Sequence, residues 1–386
     1  MGTRVVKVPF WWRRRLQKNP VQWAGHALQA LGDTIALPLP HSGSQVVISS
    51  APIVRDLFQA NMLAGRAENP MIPFWGLGAP QLHDGEALTA SRRVVSVALE
   101  PLLGNPAREI LAKETGRAVS LIQSSQHRDI DLLRVCRSVY YRTALRVLVG
   151  AKDGKGESLQ RQAVLCDEIA ENPANVLTGE PSARAMSAVM QLRSQWRASL
   201  VDSGGVIPQL YRQVVAGRVS GVDCRDIAPE VYFEAILGSI LFSIEPVAHA
   251  AATTLDYCLR NSISTPSEEF QSCIRRDPPI PFFARTATAE TPIPLPSGHI
   301  LRRGDRVLLH LPSVFENDPH SPYHDAFGIG AHRCVGSAVG VAYLRGTLDP
   351  LFKAICIMMP SPARGKPLHL VLALAAANRA HPWRRA

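Results

Sequence analysis

Phe327-Gly328-Ile329-Gly330-Ala331-His332-Arg333-Cys334-Val335-Gly336 sets one cysteine on a glycine-rich loop, and the stretch that follows, Ser337 to Asp349, is largely apolar and free of proline. A loop running into a helix is the order needed to present a thiolate to a metal. Gly328, Gly330 and Gly336 carry no Cβ, so the backbone there can take positive φ and come close to a flat ligand. A helix beginning just after Cys334 aims its N-terminal amides at the sulfur, and such donors, with a neighbouring cation, lower a thiol pKa. Phe327 can pack beside the sulfur and keep water away, while His332 and Arg333 are placed to meet anionic groups or a partner surface. Taken singly, Phe327 reads as ordinary core and the two cations as surface. The signal lies in Phe, three glycines, His and Cys at fixed offsets.

The decapeptide resembles the haem-binding signature of the cytochrome P-450 family. That resemblance implies haem b (iron protoporphyrin IX) as cofactor, Cys334 as the iron ligand, and Phe327, His332 and Gly336 beside the haem. Further segments resemble the family, in family order. Pro20 to Leu31 has helical spacing (Val21, Trp23, Leu28, Leu31), with Pro20 suited to a helix start and Gly32-Asp33 to its stop. Ile35-Ala36-Leu37-Pro38-Leu39-Pro40 and Gln45-Val46-Val47-Ile48-Ser49 read as two short strands. Together they are similar to the family's N-terminal helix and first β-hairpin. Asp84-Gly85-Glu86 opens a helix carrying Arg92 and Arg93, and the resemblance makes Arg92 a propionate ligand, with Leu88 where the family usually has His or Trp. Phe282-Phe283-Ala284-Arg285-Thr286-Ala287-Thr288 looks like the strand that lends an arginine, here Arg285, to a haem propionate. Gly304-Asp305-Arg306-Val307-Leu308-Leu309 looks like the turn and strand after it, and Arg364-Gly365-Lys366-Pro367-Leu368 through Leu374 like the closing β-region.

Two family motifs are altered. Pro229 to Arg260 reads as one helix of about 48 Å at about 1.5 Å per residue, and it resembles the family's long distal helix. Phe242-Ser243-Ile244-Glu245-Pro246-Val247 falls where the family shows Ala-Gly-x-Asp/Glu-Thr-Thr, so Glu245 and Pro246 occupy the catalytic acid and alcohol positions. Pro246 has no N–H, which removes the helical partner of the Phe242 carbonyl and bends the helix there. It also supplies no hydroxyl, so proton delivery falls to water or to a substrate hydroxyl. Glu245 reads either as an acid in that chemistry or as a buried acid satisfied by a neighbour. Ser272-Cys273-Ile274-Arg275 aligns with the family's Glu-x-x-Arg, with serine in place of the glutamate. The second arginine of the usual network is absent too, and the segment from Asn317-Asp318-Pro319 to Phe327 is short. Losing both ends avoids stranding a buried charge, and leaves Arg275 to bind backbone carbonyls near the cysteine loop.

Composition bounds the rest. The 386 residues are 46% apolar, enough for a sizeable core, with no composition break or repeat, so the chain reads as a single cytochrome P-450-like domain over 1–386, mainly α with small β-sheets. The expected architecture places haem between the long distal helix and the cysteine loop. Seven scattered cysteines without a CxxC pair argue against a disulfide framework or structural zinc and suit a reducing cytoplasm. Net charge is +10, yet no basic run interleaved with aromatics appears outside the termini, which argues against nucleic acid. The apolar stretch from Val5 to Trp12 is too short to span a bilayer, so neither a signal peptide nor a membrane anchor is expected.

The resemblance implies a soluble bacterial-type monooxygenase that oxidises a small hydrophobic molecule in specialised metabolism. Its electrons would come from a ferredoxin-type donor docking near Arg333 and Arg345. Pro246 equally resembles peroxide-using or non-redox relatives: peroxygenases, dehydratases and isomerases. A third reading, motivated by the altered motifs, is a haem-binding docking protein without turnover.

Overall fold

Helices dominate the described residues, which in the computed structural model are 20–32, 34–38, 44–59, 62–64, 79–124, 130–150, 156–171, 182–202, 206–219, 222–223, 228–288, 292–296, 298–358 and 370–371. In chain order the helices are α1 (Pro20–Leu31), α2 (Ala51–Gln59), α3 (Gly85–Leu99), α4 (Asn105–Ser124), α5 (Leu132–Ala144), α6 (Gly156–Glu171), α7 (Ala183–Asp202), α8 (Val206–Val215), α9 (Pro229–Asn261), α10 (Pro266–Arg276), α11 (Leu311–Asn317) and α12 (Ser337–Met358). The strands are β1 (Thr34–Pro38), β2 (Ser44–Ile48), β3 (Leu63–Ala64), β4 (Ile130–Asp131), β5 (Arg218–Val219), β6 (Val222–Asp223), β7 (Phe282–Ala287), β8 (Ile293–Pro294), β9 (Ile300–Leu301), β10 (Arg306–His310) and β11 (Leu370–Val371). They gather into two compact units, one of Met1–Glu68, Ile274–Cys334 and Leu374–Ala386, the other of Asn69–Cys273 and Val335–Ala373.

The first unit is organised by period-two alternation. Val46 and Ile48 of β2 face a core with Val307 and Leu309 of β10, Val54 and Leu57 of α2, and Val314 and Phe315 of α11. Val47, one residue along, turns to the opposite face and packs with Ile35 and with Trp23, Ala27 and Leu28 of α1. One strand therefore serves two cores, and a one-residue slip would exchange them. Burying each of these side chains contributes roughly 1.5–3 kcal/mol. The sheet runs β1-β2-β10-β7-β3, with β2 and β10 parallel and the other pairs antiparallel. Gly304, at φ +87°, makes the turn into β10, a conformation that a side chain resists.

The second unit is helical. α5 is started by Asp131, whose carboxylate accepts the Arg134 N–H at 3.0 Å. It packs on α9, while α12 packs on α4 and α9. Tyr140 of α5, fully buried, meets the Thr347 hydroxyl of α12 at 2.6 Å. A π-helical turn, Leu145–Val149, prolongs α5 and ends at Gly150, at φ 72°. That turn brings Arg146 to Glu114 of α4, whose buried carboxylate also receives Arg142 and Arg117, with N···O distances of 2.7, 2.8 and 3.0 Å.

Most expected elements are present. The helix over Pro20–Leu31, the two strands after it, the helix opened by Gly85 and the long helix from Pro229 all form, the last ending one residue later than Arg260. β7 and β10 match the expected strands and pair antiparallel, Val307 opposite Arg285. Val5 to Trp12, Asp33, Leu39, Pro40 and Arg364 to Pro367 lie outside the described residues. Among the described residues no helix is long and apolar enough to cross a membrane.

Candidate functional site

The cysteine loop closes the first unit. A short 3-10 turn, Tyr323–Phe327, delivers the chain to Gly328 and Gly330, at φ 89° and 73°, where a residue with Cβ would be strained. The Cys334 N–H then donates to the Phe327 carbonyl at 2.6 Å, folding the loop back on itself. Cys334 is exposed, Arg333 is exposed, and His332 and Phe327 are half-buried. Gly336 has no positive φ, contrary to the sequence expectation for all three glycines.

What fixes this loop is a carboxylate two residues before Phe327. Asp325 is buried, accepts from the Ser321 hydroxyl at 2.7 Å and is ion-paired with Arg55 of α2. A second tie comes from α10. Arg275 donates to the Pro319 carbonyl and stands 5.8 Å over the Phe315 ring, while Ser272 is exposed. The serine thus strands no charge, because Arg275 is turned to a backbone carbonyl, as expected from the sequence, and a separate pair, Arg55–Asp325, holds the approach to the cysteine.

In the second unit a narrow pocket opens between α9, α12 and the chain around Leu99 and Leu102. Gly336 and Gly340 lie one helical turn apart, joined by the Gly340 N–H to Gly336 carbonyl bond at 3.0 Å, and present a floor without side chains. Ser243, Ile244 and Val247 of α9, Val339 and Ala144 supply walls, and Tyr343 completes the lining. The Tyr343 hydroxyl is buried and has no hydrogen-bond partner, and burial pushes its pKa up. The two glycines admit close approach of a flat, largely apolar ligand, and an orphaned buried hydroxyl costs free energy until something accepts from it.

Glu245 and Pro246 lie in α9 beside these lining residues. Both Glu245 oxygens accept from Arg137 of α5, Nε to Oε2 at 2.7 Å and Nη2 to Oε1 at 2.5 Å. Burial opposes the Arg137 charge, but the Glu245 hydrogen bond and the charges of Glu245 and its neighbours together outweigh it, and its pKa is raised. The Tyr141 phenol is pushed up as well, first by burial and then by the Glu245 carboxylate.

No protein-family model matches the sequence, and neither does any curated protein. Solved structures do. A zebrafish cytochrome P-450 determined with progesterone is similar at TM-score 0.68 and 15% identity, over 87% of this chain and 91% of that one. Cytochrome P-450 PksS of the Bacillus subtilis bacillaene polyketide synthase is similar at TM-score 0.69 and 13% identity, over 88% of this chain and 90% of its own. P-450 BioI, in complex with hexadec-9Z-enoic acid ligated acyl carrier protein, is similar at TM-score 0.68 and 13% identity, over 88% and 93%. The chain has the cytochrome P-450 fold.

Within this cytochrome P-450 fold the residues expected from sequence fall into both units. Arg92 is half-buried on α3 and engaged in further interactions, next to exposed Arg93. Arg285 is half-buried on β7, with its Nη1 donating to the Ala284 carbonyl at 2.7 Å. Gly336 belongs to the cavity lining of the second unit, and Phe327, His332 and Cys334 to the loop of the first. Arg137, Arg55, Asp325 and Tyr343 were not singled out by sequence. Only Asp325 carried a local hint, as the acid of the Tyr323–Phe327 turn.

Proposed function

We propose that this chain is a haem-thiolate enzyme that oxidises a small hydrophobic molecule in specialised metabolism. The observation that carries the proposal is the side-chain-free floor at Gly336 and Gly340, with the orphaned Tyr343 hydroxyl, in the segment that begins two residues after an exposed cysteine. Haem b is the proposed cofactor, with Cys334 as iron ligand, Gly336, Phe327 and His332 beside it, and Arg92 and Arg285 as propionate partners. The bound group would supply oxidising chemistry, and a thiolate ligand favours O–O cleavage. The chain's own part is to hold, dry and orient. Apolar Leu99, Leu102, Ile244 and Val247 exclude water, and Tyr343 offers a hydrogen bond. Pro246 leaves the Phe242 carbonyl as an acceptor without a helical N–H partner. A ferredoxin-type donor docking at exposed Arg333 and Arg345 is the proposed electron source, and the cytoplasm the proposed compartment. We take residues 1–386 as one domain, because the chain passes between the two units four times.

The Arg137–Glu245 pair favours a second reading. An acid held by two hydrogen bonds to a buried arginine is a poor proton carrier, and Pro246 has none to give, which suits an enzyme that uses peroxide or no oxidant. Haem-replete protein incubated with NADH, ferredoxin and its reductase, beside a hydrogen peroxide arm, tests both. The compounds assayed are those that shift the haem spin state. Product in the NADH arm is expected. Product from peroxide alone selects the second reading, and turnover in neither arm removes the oxidase proposal and leaves the docking protein.

A further inference from the structure

Three side chains close a triangle at the entry to the cysteine loop, all of them within the first unit. Arg55 Nη2 donates to the Asp325 carboxylate and, at 3.5 Å, to the Ser321 hydroxyl, while that hydroxyl donates to Asp325 Oδ2 at 2.7 Å. Ser321 is 1% exposed, Asp325 is buried and Arg55 is half-buried. Away from water such a charge-assisted bond is screened little and is about twice as strong as a neutral one.

The arginine stands on a fixed base. Val54 and Leu57 of α2 are buried in the core shared with β2 and β10, and the same core takes Ile53 of α2 together with Ala326 and Ile329 of the loop. The acid is tied into the backbone of the turn. Its N–H donates to the Pro322 carbonyl at 2.9 Å, and its carbonyl accepts from the Gly328 N–H at 3.0 Å. Phe327, inside that bond, is the residue whose carbonyl receives the Cys334 N–H. Gly328 lies under the returning chain, where a Cβ would stand 3.5 Å from the His332 carbonyl oxygen and 3.6 Å from the Arg333 Cα. Holding the Asp325 side chain therefore holds the turn from which Phe327 reaches Cys334. Gly328 and Gly330 give this backbone many conformations to choose from, so its shape has to come from ties of this kind.

We propose that Arg55 is a positioning residue for Cys334: through Asp325 and Ser321, α2 holds the loop in the shape that presents the thiol. This deepens the haem-thiolate reading and rests on it only for what the thiol ligates.

Amide hydrogen exchange of the purified protein, read on peptides spanning Phe327–Cys334 and β10, tests the tie. Protection of the loop amides is expected to fall roughly 10- to 100-fold in Arg55→Ala, the loss of a hydrogen bond to a charged group, with β10 unchanged. Asp325→Asn removes the charge and keeps the shape, and is expected to show the same loss. Combining the two is expected to add nothing further, because both break one pair. Arg55→Lys keeps the charge and is expected to recover part of the protection. The second readout is the spectrum of the reduced protein with carbon monoxide: the share of haem with a far-red Soret band is expected to fall in Arg55→Ala and to return in part in Arg55→Lys. Loop exchange equal to that of the parent, or exchange raised as much in β10 as in the loop, would overturn the proposal. So would a red-displaced band at full strength in Arg55→Ala, since the sulfur would then be held without the arginine. If Arg55→Ala does not fold, Asp325→Asn carries both comparisons. A parent without the displaced band removes the haem reading and leaves exchange to decide the tie.

Discussion

Glu114→Ala is expected to lower the unfolding free energy by about 3–5 kcal/mol, the cost of stranding buried charge. Glu114 is 2% exposed, and its carboxylate is the common partner of Arg117, Arg142 and Arg146. Removing it leaves three guanidinium groups facing one another, two of them with side chains only 8% and 20% exposed. Glu114→Gln keeps the shape and an acceptor but removes the charge, so most of the loss is expected there too. Urea denaturation of the three proteins measures it, and a loss below about 1 kcal/mol, the scale of a surface pair, would show that the cluster is solvated. The same variants distort the π turn that carries Arg146, so protection of the Leu145–Val149 amides from hydrogen exchange is expected to fall with stability.

Glu245→Leu is expected to cost about 3 kcal/mol, because the side chain of its partner Arg137 is only 5% exposed. Adding Arg137→Met to it is expected to restore most of the loss, since replacing both halves of a buried pair by apolar groups of similar size is close to neutral. The coupling between the two changes, read from the four proteins by urea denaturation, is therefore expected to be large. Two losses that simply add would mean that Glu245 and Arg137 act separately, and would return Glu245 to the role of a free acid. If the double variant also retains turnover with peroxide but not with NADH, the pair serves proton delivery as well as packing.

How much of this was legible in the sequence follows from the range of each interaction. The bounds of α1 were written in Pro20 and Gly32, and the start of α9 in Pro229, because proline and glycine act on their own backbone. The β-branched run Val46-Val47-Ile48 announced a strand, and the glycines before Cys334 announced a tight loop. Glu245 could be picked out, but its partner could not, since Arg137 lies 108 residues earlier and helical spacing reaches only three or four. Arg55 and Asp325 are 270 residues apart, so the tie that holds the cysteine loop was read as a loss at Ser272 rather than as a different pair. Tyr343 looked like one more apolar residue of α12. Its buried, partnerless hydroxyl exists only once the cavity is formed.

The claim on which all else depends is thiolate ligation by Cys334. The ultraviolet-visible spectrum of the purified protein, reduced with dithionite and exposed to carbon monoxide, tests it beside Cys334→Ser. A Soret band displaced far to the red in the parent and absent in the variant is the predicted result. Protein that binds no haem, or a band that the substitution leaves unchanged, would contradict it.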